Sequence, residues 1–185
     1  MRRRYPESWL MTDERLEDRL WPILLHMPPG SGVVFRHRAT PPAERRALFQ
    51  RVRRIARARR LLLLAVDPPL PGSVGIHGRV SGATSWPTHD RGEALAGVRA
   101  NTKLLFVSPI FATRSHPGAA ALGPIKARRI GQGLGVAMIA MGGMDARRWR
   151  RIRHLGFAGW AGIDAWPVGS SASIIDRQKR KAVPT

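Results

Sequence analysis

The chain has no cysteine. A disulfide framework, a thiolate metal centre and a cysteine nucleophile are thereby excluded, and the composition suits a reducing compartment. Acidic residues are scarce: 12 Asp and Glu stand against 32 Lys and Arg, a formal net charge of +20, and only Lys103, Lys126, Lys179 and Lys181 among those cations are not arginine. Long apolar runs are also missing, since none approaches the roughly 18 residues of a membrane span. The N-terminal Met1-Arg2-Arg3-Arg4-Tyr5 meets Pro6 and Glu7 in place of an apolar signal core. Together these absences predict a soluble, unexported, cytoplasmic protein with no membrane partner. Aromatics make up only 6% of the chain and no nucleic-acid-binding motif occurs. The arginines between Arg45 and Arg60 surround an apolar stripe, so they read as a solvated helix face with non-specific attraction for polyanions. Specific nucleic-acid binding is the less favoured reading.

What is present is an alternation of strand-length apolar runs with helical periodicity. Trp9-Leu10-Met11 predicts a first strand, and Leu16, Leu20, Ile23 and Leu24 recur at helical spacing until Pro28-Pro29. The run from Gly32 to Arg38 predicts a second strand, and Pro42 to Arg60 a helix with Leu48, Val52, Ile55 and Ala56 on one stripe. Leu61 to Val66 reads as a strand buried on both faces. The segments Asp67–Ser73 and Gly78–Ala83, flanking a strand at Val74–His77, are too short and too rich in proline or glycine for helices. A short strand near Thr84-Ser85-Trp86 precedes a helix over His89–Asn101. Further strands fall at Lys103–Ser108, Val136–Met141 and Gly159–Asp164, with helices from Pro124 and after an Asp145 cap, the latter closed by Gly156. Eight buried strands alternating with helices predict an α/β fold, a compact (β/α)8 TIM barrel over residues 1–167 that lacks helices after strands three and four, followed by a flexible basic tail at 168–185. An open α/β sheet of fewer strands is the rival. The missing helices expose a flank of strands three to five, which predicts an apolar patch near Ile76 and Trp86 and a homodimer that hides it.

Three constellations could carry chemistry. Arg36 and Arg38 are two apart and share a face, which suits a pyrophosphate at a barrel mouth; the alternative is that the strand ends before them and both are solvated. The loop after strand six carries Thr113, Ser115 and His116 as small donors and a titratable ring, as a phosphate lid would. Gly142-Gly143 after strand seven lets backbone N–H groups approach an anion, or simply makes a tight turn.

These pieces, in this order, resemble the thiamine-phosphate synthase and thiazole tautomerase superfamily from about Trp9 to Trp166. Phe35-Arg36-His37-Arg38 is similar to its Q-L-R-E-K element, Gly75-Ile76-His77 to G-V-H-L, and Thr88-His89-Asp90-Arg91-Gly92-Glu93-Ala94 to S-x-H-x-x-x-E-A. The most specific matches are Ser108-Pro109-Ile110-Phe111-Ala112-Thr113, similar to G-P-V-F-x-T, and Ala140-Met141-Gly142-Gly143-Met144, similar to A-I-G-G-I. The resemblance implies a (β/α)8 transferase of thiamine biosynthesis that couples hydroxymethylpyrimidine pyrophosphate to a thiazole phosphate with Mg²⁺ and releases pyrophosphate. It implies catalytic roles for Arg36, Arg38 and His116, and phosphate contacts from Arg36, Arg38, Thr113, Ser115, Gly142 and Gly143. Its metal ligands reduce to Asp67, so the Mg²⁺ site is expected to be weak and substrate-assisted, which leaves turnover open. The family's loop lysine falls at His116, the serine before the helix histidine at Pro87, and the serine ending strand eight at Asp164. A tautomerase using His116 or His89 as acid and base, and a non-catalytic barrel that binds a phosphorylated ligand, are the alternatives.

Overall fold

Residues 5–113 and 120–166 are described in a computed structural model. Strands β1 (Ser8–Met11), β2 (Gly32–Phe35), β3 (Leu62–Val66), β4 (Gly75–His77), β5 (Ser85–Thr88), β6 (Leu104–Val107), β7 (Ala137–Met141) and β8 (Gly159–Gly162) pair in parallel with their neighbours in sequence, and β8 closes on β1. The rival open sheet is thereby excluded. Alternation along each strand splits the core in two. Trp9, Met11, Val34, Leu64, Val66, Leu104, Phe106, Ile139 and Ala161 form one buried cluster inside the barrel, while Leu10, Val33, Phe35, Leu63, Ala65, Leu105 and Val107 pack outward under the helices. Both faces being covered explains why the strands read as continuous apolar runs.

The helical layer is α1 (Leu20–His26), α2 (Pro42–Ala58), α3 (Arg91–Arg99), α4 (Pro124–Gly131) and α5 (Ala146–Ile152). The periodic segment after Thr12 departs from the single helix expected of it. Glu14–Arg19 is a 3₁₀ stretch, kinked at Glu17 (φ 45°), and α1 begins only at Leu20. Pro22 accounts for this, because a residue without an N–H fits only in the first turn of an α-helix. Two caps hold as the sequence predicts: Asp90 Oδ1 accepts from the Glu93 N–H at 2.8 Å, and Asp145 Oδ1 from the Arg148 N–H at 2.7 Å. Gly156 closes the 3₁₀ turn after α5 at φ 88°.

No helix follows β3 or β4, as expected, but the flank is not bare. Leu70 and Ala83 from the two linkers are buried, Val80 packs against the core, and Trp86 is only 8% exposed beneath α3. A Cβ at Gly97 of that helix would stand 2.9 Å from the Trp86 ring, so the helix rests directly on the indole. The patch expected near Ile76 and Trp86 is thereby reduced: the linkers fold inward over the strands, and Val74 beside β4 stays exposed. The large apolar side chains exposed among the described residues are Leu25, Val74 and Ile125. One arginine of α2 departs from the solvated face expected of the helix. Arg45 is 6% exposed; its guanidinium donates to the Val66 carbonyl at 3.0 Å and the Pro68 carbonyl at 3.3 Å, and lies 5.7 Å from the Phe35 ring centroid. It ties the end of β3 to α2.

The tightest approach inside the barrel is at Gly32, where an added Cβ would lie 2.1 Å from the Trp9 ring. The indole is locked by its Nε1 donating to the Pro6 carbonyl at 2.9 Å and by its edge contact with Phe106. Gly32→Ala is expected to destabilise the protein by about 1–3 kcal/mol, the usual range for overpacking. Urea unfolding should show a lower midpoint at unchanged m-value; an unaltered midpoint would mean that the indole moves aside freely.

Candidate active site

The C-terminal ends of the strands surround a cavity of about 610 Å³. Its walls include Met11 at the end of β1, Arg36 and Arg38 after β2, His77 at the end of β4, His89 after β5, Ser108, Pro109, Ala112 and Thr113 after β6, Gly142 to Asp145 after β7 with Arg148 of α5, and Ile163 and Asp164 after β8. Active sites of (β/α)8 barrels lie at this end, where the loops after the strands converge.

The two arginines reach the cavity although β2 stops at Phe35. Thr12 ends the strand: its Oγ1 accepts the Arg36 N–H at 2.9 Å and shares a 2.9 Å hydrogen bond with His37 Nδ1. His37 turns away and stacks on Phe35 at 4.7 Å, as the alternation of the segment predicts. Arg36 is half-buried, whereas Arg38 is exposed. Burial lowers Arg36's hold on its proton; Asp13 works against that, and Arg38 adds to it. The ion pair with Asp13 is loose, at 3.8 Å, because the same carboxylate is held at 2.7 Å by Arg15. Burial alone would raise Asp13, but the Arg15 hydrogen bonds hold its carboxyl below the usual carboxylate range.

His77 forms the cavity floor. It is 5% exposed, shares a 2.9 Å hydrogen bond with Ser85 Oγ, and meets the Phe106 ring edge-on at 4.9 Å. Burial first, and then the charges of Arg36 and Arg38, push its pKa down to about 3. The imidazole is therefore neutral at physiological pH. At the rim, His89 Nδ1 lies 2.9 Å from Glu93 Oε2, and Arg79 donates to Glu93 Oε1. Burial pushes Glu93 up, yet the His89 and Arg79 contacts bring it below its ordinary value, so it is an anion that orients the His89 ring.

On the opposite wall Gly142 and Gly143 adopt φ 89° and 60°. A Cβ at Gly142 would be 2.7 Å from Pro109 Cα, and one at Gly143 2.5 Å from the Ala112 carbonyl oxygen, so the turn after β7 needs glycine to pack against the loop after β6. Arg148 donates to the Gly143 carbonyl and lies 4.8 Å from the Phe111 ring centroid.

Of the residues singled out from the sequence, Arg36, Arg38, Thr113, Gly142 and Gly143 border this one cavity, with His89 and Asp164. Ser115, His116 and the tail at 168–185 lie outside the described residues. Asp67 is exposed at the end of β3 and is not part of the cavity wall. Among the described residues no three His, Asp or Glu side chains gather to hold a metal ion, and Asp67, the carboxylate expected to bind Mg²⁺, is not on the cavity wall, so the site offers no ready-made metal cage. Sequence reasoning missed Arg148 and the partner Asp13. Arg148 could have been found three residues beyond the Asp145 cap, in the first turn after the glycines.

Residues 83–166 match the thiamine monophosphate synthase family. The second half of the barrel thus resembles the thiamine monophosphate synthases. A curated thiamine-phosphate synthase from Chloroflexus aurantiacus is 33% identical over 96 residues, which are 51% of this chain and 44% of that relative, so the match spans less than half the relative's length. The solved thiamine phosphate pyrophosphorylase from Pyrococcus furiosus superposes with a TM-score of 0.76 at 18% identity, covering 95% of this chain and 94% of that one. A thiamine phosphate pyrophosphorylase from Bacteroides thetaiotaomicron gives a TM-score of 0.52 at 15% identity over 85% and 82% of the two chains. At these identities the structures speak for the fold alone. The family match covers β5 to β8, hence Thr113 and the glycine turn, but not the arginines after β2.

His77 gives a pH prediction. Its folded pKa lies below the unfolded value of 6.5, so the unfolded chain takes up a proton first and stability is lost as pH falls from about 6.5 toward about 3. The loss should be about 1.4 kcal/mol per pH unit. Urea unfolding between about pH 6.5 and 4.5, above most carboxylate titration, should be steeper in the wild type than in His77→Asn by about this amount, the residual slope coming from His37, which burial also lowers. Equal slopes would mean that His77 is protonated in the native state.

Proposed function

We propose that this chain is a transferase of thiamine biosynthesis that joins hydroxymethylpyrimidine pyrophosphate to a thiazole phosphate and releases pyrophosphate. The observation that carries this reading is the cavity itself, with two guanidiniums on one wall and the Gly142-Gly143 turn with Arg148 on the other, in a barrel whose second half matches the synthase family. Arg36 and Arg38 would take the pyrophosphate. As the carbon–oxygen bond breaks, its electron pair leaves on the pyrophosphate oxygen while positive charge develops on the pyrimidine methylene, and the arginines stabilise the leaving anion. The thiazole nitrogen then supplies the pair for the new C–N bond. Its phosphate would lie by Gly142, Gly143 and Arg148, with Thr113 beside the pyrophosphate; the resemblance assigns Ser115 and His116, outside the described residues, to the same phosphate contacts.

One observation favours a second reading. The His89–Glu93 pair is a carboxylate-oriented imidazole at the cavity rim, suited to moving a proton within a thiazole ligand, as a tautomerase does. The cytoplasm is the compartment that fits either chemistry. Among the described residues no helix is long and apolar enough to cross a membrane.

The test is to incubate the protein with both precursors and detect thiamine phosphate by mass. Product is expected, and Arg36→Ala should lower kcat/KM by at least about tenfold, since each charge-assisted contact to phosphate contributes roughly 1.5–3 kcal/mol. Absence of product from both precursors, with deuterium exchanging into the thiazole alone, would replace the transferase reading with the tautomerase one.

A further inference from the structure

The charges around the cavity are unevenly sorted. After β2, Arg36 and Arg38 stand together with one loose carboxylate contact, Asp13 at 3.8 Å, and that carboxylate is already engaged by Arg15. Their mutual repulsion and the burial of Arg36 both disfavour the charged form. Their field extends over the barrel mouth, because both also depress the buried His77 on β4. An anion with two or more charges placed there would relieve each of these costs. Two guanidinium forks offer it planar, bidentate donors.

The adjoining wall is the place where a metal would need its ligands, and it offers few. Asp67 is exposed and off the wall, and the neighbouring β4 is followed by Gly78, whose Cβ position is 3.7 Å from Asp67 Cβ, so no second carboxylate stands there to complete a pair. Segment 114–119 brings one histidine and no carboxylate by sequence. Magnesium is held by oxygen ligands in near-octahedral geometry, ordinarily with one or two carboxylates beside the substrate's phosphates. The acidic residues that do line the cavity, Asp145 and Asp164, lie after β7 and β8, and Asp145 is occupied as a helix cap.

We propose that the pyrophosphate site of this chain works without a metal ion, Arg36 and Arg38 supplying the positive charge that a divalent cation would otherwise bring. The proposal rests on the functional reading above only in taking pyrophosphate as the ligand. It assigns the charge compensation to side chains fixed by the fold, so affinity depends on the arginines and not on divalent ions.

Calorimetric titration with inorganic pyrophosphate tests it, in EDTA and in excess Mg²⁺. The two dissociation constants are expected to agree within about threefold. Arg38→Gln, an exposed position whose loss leaves the core untouched, should weaken binding by at least about tenfold in both arms. Circular dichroism should show the variant folded. Binding that requires Mg²⁺, or an Arg38→Gln defect that Mg²⁺ restores, would overturn the proposal while leaving the transferase reading in place. No binding in either arm would overturn both, because it removes the anion site itself.

Discussion

A barrel of strands three to five residues long encloses a volume that only large side chains can fill, and here an aromatic column fills it. Trp9 occupies the lower interior against Gly32, Phe106 meets its ring edge-on at 5.3 Å, and His77 stands on Phe106 at 4.9 Å. Each ring restricts the next. The column ends in a neutral imidazole, which closes the barrel below the cavity and leaves the C-terminal ends free to hold ligand. Its low pKa follows from burial and from the arginines above it, so packing and site electrostatics are coupled through one residue.

The site has two halves of different standing. The glycine turn, Thr113 and the loop after β6 fall in the stretch that matches the synthase family, and the close backbone approach of Pro109 and Ala112 accounts for both glycines. The arginines fall outside that stretch and are carried by geometry. Thr12 catches the Arg36 N–H and terminates β2, so the chain turns up at the mouth with two guanidiniums short of counter-ions. A basic excess spread over helix faces speaks to solubility and weak polyanion attraction. Two arginines at a barrel mouth are a different matter: Arg36 is half-buried, and its carboxylate, Asp13, is held more tightly by Arg15.

The barrel was legible because its strands are buried on both faces and its turns are marked by proline, glycine and capping aspartates. Counting residues between Val66 and Gly75, and between His77 and Ser85, was enough to exclude two helices. Side-chain reach was less legible. A run of arginines on α2 gives no sign that Arg45 turns inward to the carbonyls of Val66 and Pro68, since those acceptors come from a distant strand end. The flank expected to be bare is covered because Leu70 and Ala83 pack inward from linkers too irregular to show periodicity. The same limit applies to Asp67: its place after β3 follows from the sequence, but its position off the cavity wall depends on how the proline-rich linker leaves the strand.

A crystal structure with inorganic pyrophosphate bound tests the central claim most directly. The account predicts the anion at the C-terminal mouth, with its oxygens within hydrogen-bonding distance of both Arg36 and Arg38 and above His77. Pyrophosphate found instead on the outer arginines of α2, or in the cavity of about 690 Å³ at the opposite end of the barrel beside Arg60, would contradict it.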